Sequence, residues 1–303
     1  MAQRMSDRSA YVLLILVMMM WASGVIIARV VHDLTPPVGF SFWRWVMGVA
    51  LLSPFALPAL RRQSGIARQH IKAFVPLGIF MAGGSTLLVW SAQHTSASNV
   101  ALISAAQPTV TLFIGWMVTR QRFGLLELGG VMAAFAGIVV IITRLDLSAL
   151  ADIRFNTGDM LILLAVIFYA GYAINLHRWV SGLSGLVILY MTACAGLLVV
   201  APFYFVETYF VAPMNFDREV LLAALYMAAI ARAEGIAMWN TAVGVVGPNR
   251  ASAFMNLLPL FGTGFAVVLL DEKVYGYHLI GALLVCLGIS MVIVPGFANA
   301  MRS

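Results

Sequence analysis

An arginine and a glutamate stand two residues apart in the segment Ala228-Ala-Ile-Ala-Arg232-Ala-Glu234-Gly-Ile-Ala-Met-Trp239-Asn240, inside an apolar run from Val220 to Val243. Either ion at the centre of a lone membrane helix costs about 2.5–3.5 kcal/mol on insertion scales. Neither can easily snorkel to the headgroups from mid-span, so both need protein or water around them. This predicts a polar hollow at that depth. In it, the Arg232 guanidinium could grip a carboxylate or phosphate through two parallel hydrogen bonds. Trp239 is seven residues on, shares a helix face with Arg232, and would supply a flat apolar wall. Glu234 lies about 200° round the helix from Arg232, so the two do not simply pair, and Glu234 is a candidate proton-coupling acid. The competing reading is a structural network with Arg29, Arg44 or polar groups of other helices.

Six further candidates lie in other apolar runs. Trp21, in the first, and Tyr172, in the sixth, are read as facing one another across the hollow, whereas Ser23 and Gly24 are read as helix packing. Trp90, Gln107 and Asn256 are polar or amphipathic residues deep in the third, fourth and ninth runs. Gln107 precedes Pro108, and Asn256 approaches Pro259. A proline frees a carbonyl within its helix, and a nearby amide either satisfies that backbone or reaches a ligand. Arg44, at the start of the second run, is expected near the membrane interface as an anchor or in a gate ion pair.

The elements that must position these residues follow from composition. Of 303 residues, 62% are hydrophobic and 10% charged, against roughly 25% charged in soluble domains. The fold class is an all-α integral membrane protein. Ten apolar runs can be cut out: Tyr11–Val31, Val38–Leu57, Ile71–Ala92, Ser98–Val118, Leu126–Thr143, Asp159–His177, Leu186–Val206, Val220–Val243, Ala251–Leu270 and Tyr277–Val294. Each is as long as a helix that spans the hydrocarbon core, and none alternates as barrel strands do. The first run is too long for the core of a secretory signal and is kept as a span. Cys194 and Cys286 both fall in apolar runs, with no metal or disulfide spacing.

Orientation follows from the links. With the N-terminus in the cytoplasm, 11 of the 18 Lys and Arg residues fall on the cytoplasmic side. Asp33, Asp146, Asp152, Asp159, Glu207, Asp217, Glu219, Asp271 and Glu272 fall on the other. This positive-inside bias predicts a multi-pass protein of a bacterial-type inner membrane with both termini cytoplasmic.

The two halves resemble each other. A constant offset of 151 pairs Pro108 with Pro259, Gly130 with Gly281, and Gly137 with Gly288. Ser23-Gly24-Val25-Ile26 pairs loosely with Ala170-Gly171-Tyr172-Ala173. Residues 1–146 and 155–303 are therefore expected to be two five-helix repeats. Five is odd, so the second copy enters the bilayer from the opposite side. Such inverted repeats suit alternating access around a site near mid-bilayer.

Several motifs resemble the EamA family of the drug/metabolite transporter superfamily. They are Trp21-Ala-Ser-Gly, Pro36-Pro37, Phe42-Trp43-Arg44-Trp45, Trp239-Asn240, Gly247-Pro-Asn-Arg250-Ala and Leu258-Pro259-Leu-Phe. Leu270-Asp271-Glu272 looks like the family's Leu-Gly-Glu, with Asp in place of Gly. The resemblance implies ten helices, cytoplasmic termini, a central cavity, and transport of small metabolites, often export of amino acids or related compounds. Arg232 and Glu234 depart from the small or apolar residues usual in that helix.

The expected function is a secondary transporter, an exporter of small organic metabolites such as amino acids or related zwitterions. No P-loop is present, so coupling falls to an ion gradient, exchange or facilitation. The alternatives are a membrane-embedded enzyme, for which no His-Glu-x-x-His or Gly-x-Ser-x-Gly motif is present, and a channel. The expected partners are a small-molecule substrate, the lipid bilayer, a coupling proton or ion, and a second copy of the chain, whose small-residue patches on the fifth run could pack within one chain or between two. No cofactor and no nucleic acid are expected.

Overall fold

The computed structural model describes residues 6–119, 125–145, 156–229, 235–246, 254 and 257–300. Among the described residues the regular structure is helical. In chain order the helices are α1 (Asp7–Val30), α2 (Pro37–Arg62), α3 (Ser64–Gln69), α4 (Ile71–Ser91), α5 (Ala97–Ala105), α6 (Gln107–Thr119) and α7 (Leu125–Thr143). They continue with α8 (Thr157–Trp179), α9 (Gly185–Phe210), α10 (Arg218–Ala228), α11 (Gly235–Val246), α12 (Leu257–Leu270) and α13 (Gly276–Ala300).

Local chemistry sets several of these starts. The Ser6 hydroxyl accepts from the backbone N–H of Ser9 and caps α1. Ser96 accepts from Asn99 N at 3.1 Å and caps α5. Asn156 accepts from Gly158 N at 2.7 Å and caps α8. Each side chain satisfies one of the N–H groups that a helix start leaves without an intrahelical partner. α2 opens with Pro37 in its first turn, where a missing N–H costs nothing.

Helices α1, α2, α4, α8 and α9 are each long and apolar enough to cross a membrane, and α5 with α6 makes a sixth such span if the bent pair is counted as one. Helices α7, α12 and α13 carry shorter apolar stretches, Leu128–Ile141, Leu260–Leu270 and Gly276–Gly288. Outward faces are apolar: Leu125, Leu198, Val268 and Leu283 are all largely exposed. Water would penalise so much bare hydrocarbon, and a bilayer does not. This is a multi-pass helical membrane protein.

One of the expected runs is not a single helix. The fourth breaks at Ala106, where α5 and α6 meet at 44°. The eighth yields α10 and α11, and the segment between them that holds Arg232 and Glu234 lies outside the described residues.

Packing joins helices that are distant in the chain. α7 pairs with α13, α2 with α9, and α5 with α12. α4 packs on α8 and α9, and α1 on α11 and α12. Small residues permit the closest approaches. A Cβ on Gly288 would lie 2.5 Å from the Gly130 carbonyl oxygen, and one on Gly137 would lie 2.8 Å from the Gly281 oxygen. Where lipid already solvates apolar side chains, backbone proximity of this kind supplies the van der Waals energy of association.

Candidate functional site

A cavity of about 520 Å³ lies among α1, α2, α4, α5, α6, α8, α10 and α12, within the range of small-molecule sites. Trp21 and Val25 face it from α1, Met81 and Ser85 from α4, Ser104 and Gln107 from the α5–α6 pair, and Tyr169 and Tyr172 from α8. Met227 and Leu258 contribute from α10 and α12. Met81 and Met227 give an adaptable apolar lining.

Helix periodicity explains which side chains arrive. Met81, Ser85 and Leu88 recur at spacings of four and three along α4, so they share one face. Trp90 is two residues past Leu88, about 200° away. Its side chain is 40% exposed and is not in the cavity wall, against the expectation for it. On α8, Tyr169, Tyr172, Ala173 and Leu176 form the matching stripe.

Of the other expected site residues, Trp21, Tyr172 and Gln107 line this cavity. Trp239 reaches it indirectly: its ring packs on that of Trp21, with centroids 5.5 Å apart and planes tilted by 35°. Arg232, Glu234 and Asn256 lie outside the described residues. Ser23, read as a packing residue, bonds locally to the Met20 carbonyl and to the Tyr226 hydroxyl, both at 2.8 Å.

Sequence reasoning placed Arg44 at the interface, but it lines the cavity. It follows Pro37 by seven residues, about 10 Å along the axis of α2. It is 5% exposed, and its Nη2 donates to the hydroxyl of Ser85. A cation sunk in an apolar helix is the signal that drew notice to Arg232, and applied to Arg44 it would have found this residue too. Tyr169, Ser85 and Ser104 were also missed; a lone Ser or Tyr in an apolar run carries no comparable signal.

A second polar region lies at the end of the bundle where α2, α5 and α8 begin. Glu207, near the end of α9, accepts from Val38 N at 3.2 Å and Gly39 N at 2.6 Å. Glu272, after α12, accepts from Ala97 N at 2.8 Å, Ser98 N at 3.1 Å and the Ser98 hydroxyl at 2.7 Å. Each carboxylate thus caps a helix start from another element, where the helix dipole favours negative charge. Neither capping role follows from the sequence, where Glu207 marks orientation and Glu272 also belongs to the Leu270-Asp271-Glu272 motif.

Apolar spans packed around a cavity of small-molecule size define the class, a multi-pass helical membrane protein with an internal site. The model of the EamA-like transporter family matches residues 8–143 and again 156–294. The chain belongs to that family. It is 23% identical to an uncharacterized transporter of Archaeoglobus fulgidus, over 93% of this chain and 96% of that one. It is 24% identical to a probable amino-acid metabolite efflux pump of Escherichia coli K12, over 93% and 94%. It is 22% identical to the aromatic amino acid exporter YddG of Salmonella typhimurium, over 94% and 96%. A solved crystal structure with 16% sequence identity superposes with a TM-score of 0.63, over 98% of this chain and all of the other, and so has the same fold.

Proposed function

We propose that this transporter exports amino acids or closely related small zwitterions by alternating access, with the described cavity as its substrate site. The observation that carries the proposal is the buried guanidinium of Arg44, set in a cavity walled by Trp21, Tyr169 and Tyr172. A guanidinium matches a carboxylate in shape and charge. The aromatic rings offer flat apolar surface to a side chain. Gln107 and Ser104 offer neutral acceptors to an ammonium group. Export is favoured by the likeness to the Escherichia coli efflux pump and the Salmonella exporter.

Alternating access rests on reading residues 1–146 and 155–303 as two inverted five-helix repeats of a ten-span protein. Two reciprocal contacts support that reading. Gly288 approaches the Gly130 carbonyl and Gly137 approaches the Gly281 carbonyl; the offset of 151 exchanges these two contacts. Glu207, near the end of α9, caps the start of α2, while Gln63, at the end of α2, accepts from Ser184 N at 2.8 Å and caps the start of α9. Antiparallel partners that cap each other at opposite ends are what a two-fold axis in the membrane plane produces. In this reading both termini are cytoplasmic, the membrane is a bacterial-type inner membrane, and α2, α5 and α8 begin at its outer face. Arg232 is a second candidate anion grip beside Trp239, and Glu234 a candidate proton-coupling acid.

The test is ligand-induced thermal stabilisation of the detergent-purified protein with amino acids, organic acids, nucleosides and quaternary amines. A ligand at 100 times its dissociation constant stabilises by about 2.7 kcal/mol. An amino acid should stabilise the parent and lose that effect in Arg44→Leu. Stabilisation only by quaternary amines or nucleosides, unchanged in Arg44→Leu, would overturn the assignment.

A further inference from the structure

The first turn of α5 is fastened from three sides by buried groups that lie outside the cavity. Asp159, on α8, accepts from the Thr95 hydroxyl at 2.6 Å and from Asn99 Nδ2 at 3.1 Å. The Asn99 side-chain oxygen, Oδ1, lies 3.1 Å from His278 Nε2 on α13. His278 Nδ1 in turn accepts from Tyr275 N at 3.1 Å. That last bond fixes the tautomer: Nδ1 carries the lone pair, so Nε2 carries the proton and donates to Asn99. The chain of donors therefore runs in one direction, from Tyr275 through His278 and Asn99, and ends on the Asp159 carboxylate. Asp159 is 0% exposed, Asn99 1% and His278 4%.

The surroundings carry few other charges. From the link after α12, Glu272 holds the α5 backbone. From the end of α7 comes Arg144, with Arg144 and Leu145 both in the left-handed region at φ 55° and 65°. Two non-glycine residues in that region are uncommon and need support from their surroundings. From α13, Tyr277 and His278 face the cluster. The backbone of His94 packs on Gly158, next to Asp159. The charge of Arg144 thus acts on the Asp159 carboxylate, with a neutral histidine beside the cluster. Glu272 is anchored by backbone donors at a helix start, whereas Asp159 depends on side-chain donors of neutral groups.

What α5 does next gives this clasp a role. It ends at Ala105 and bends by 44° into α6, and its Ala101 and Ser104, with Gln107 just past the bend, form cavity wall. Ser104 follows Asn99 by five residues, about 7.5 Å along the helix. A half-helix pinned at one end and bent at the other moves as a lever.

We propose that Asp159 is a positioning residue for transport: as a carboxylate it holds α5, and hence Ser104 and Gln107, in place, and a proton taken from the outer face releases them. The proton moves from solvent to a carboxylate oxygen of Asp159. The neutral carboxyl accepts from Thr95 and Asn99 without the charge that made those bonds strong, so the clasp on α5 weakens. This inference rests on the cavity and orientation of the proposed function.

The experiment uses Ser104→Cys in the full chain with Cys194→Ala and Cys286→Ala, labelled from outside the cell with a membrane-impermeant maleimide. Each rate is divided by that of the same variant unfolded in denaturant at the same pH, because the thiolate that attacks the maleimide grows scarcer in acid. The parent's ratio should be about three-fold higher or more at an external pH of about 5.5 than at about 7.5, as a shift of the open population requires. Asp159→Asn should give one ratio at both pH values. His278→Gln keeps an N–H donor but does not titrate, and should keep the parent's response. Should Asp159→Asn fail to reach the membrane, Thr95→Val serves. It removes one donor to the carboxylate and should move the midpoint to higher pH. A parent ratio independent of pH, a response of the ratio that survives in Asp159→Asn, or one that His278→Gln abolishes overturns the proposal. A Ser104→Cys protein that never labels, at any pH or after permeabilisation, counts instead against the cavity of the proposed function.

Discussion

Replacing Gly288 with alanine adds one methyl group at the closest point between α7 and α13. The new Cβ would lie 2.5 Å from the Gly130 carbonyl oxygen and 2.7 Å from both N and Cβ of Ala134. Ordinary contact is about 3.5–4.0 Å, so the shortfall is about 1 Å. The obstructing atoms are backbone and a Cβ, so no rotamer change relieves them and the two helices must part. Overpacking of this kind costs about 1–3 kcal/mol. Alanine also gains up to about 1 kcal/mol over glycine in helix propensity, which masks part of that cost. Gly264→Ala is the matched control, since a Cβ there meets nothing within 4 Å, and it keeps the propensity gain alone. The difference between the two variants therefore isolates the packing term at about 1–3 kcal/mol. Thermal unfolding of both proteins in the same detergent reads it: Gly288→Ala should melt several degrees below Gly264→Ala. Equal melting temperatures would refute the claim that α7 and α13 meet backbone to backbone.

Other perturbations address the site and the caps. Arg44→Leu should weaken binding of a carboxylate ligand about 10- to 100-fold, the loss of a hydrogen bond to a charged group, and Arg44→Lys should weaken it less; both are read by ligand titration of the melting temperature. Trp21→Ala removes the ring that packs on Trp239 and should cost aromatic ligands about 0.5–1.5 kcal/mol of binding while leaving glycine unaffected, checked in the same titration. Glu207→Gln removes the charge and leaves one oxygen where two accept, so one α2 N–H loses its partner; it should cost about 1.5–3 kcal/mol of stability by thermal unfolding.

Hydropathy alone made the long spans legible, because a run such as Leu186–Val206 needs no partner to declare itself and duly appears inside α9 (Gly185–Phe210). The bend at Ala106 was not legible in the same way. A hydropathy window averages over the break, and Gln107-Pro108 announced a weakened backbone without saying whether the helix would continue through it. Arg44 shows a different limit. Its place in the chain, just past Pro36-Pro37, suggested the interface, yet α2 has completed almost two turns before reaching it. Whether such an arginine meets headgroups or a cavity depends on α4, which brings Ser85 to it from 41 residues away. Trp90 failed for the converse reason. Its type suits a binding wall, but the face of α4 that meets the cavity is fixed by packing on α8 and α9.

Polar side chains in this chain gather where helices begin or break, and the reason is physical. A helix start leaves N–H groups without intrahelical partners, and in a membrane water does not reach them. At α5 the unmet donors are met by Ser96 from within and by Glu272 from another element; at α2, by Glu207. Every short helix that ends inside the bundle adds such a demand. A chain with the shortest uninterrupted spans would avoid breaks altogether, because each break costs backbone hydrogen bonds that a straight helix makes without help. That the fourth run nonetheless breaks where Ser104 and Gln107 border the cavity argues that the break serves the site. It turns one half of a span into a separately held piece, with its polar wall at one end and its clasp of Asp159, Asn99 and His278 at the other.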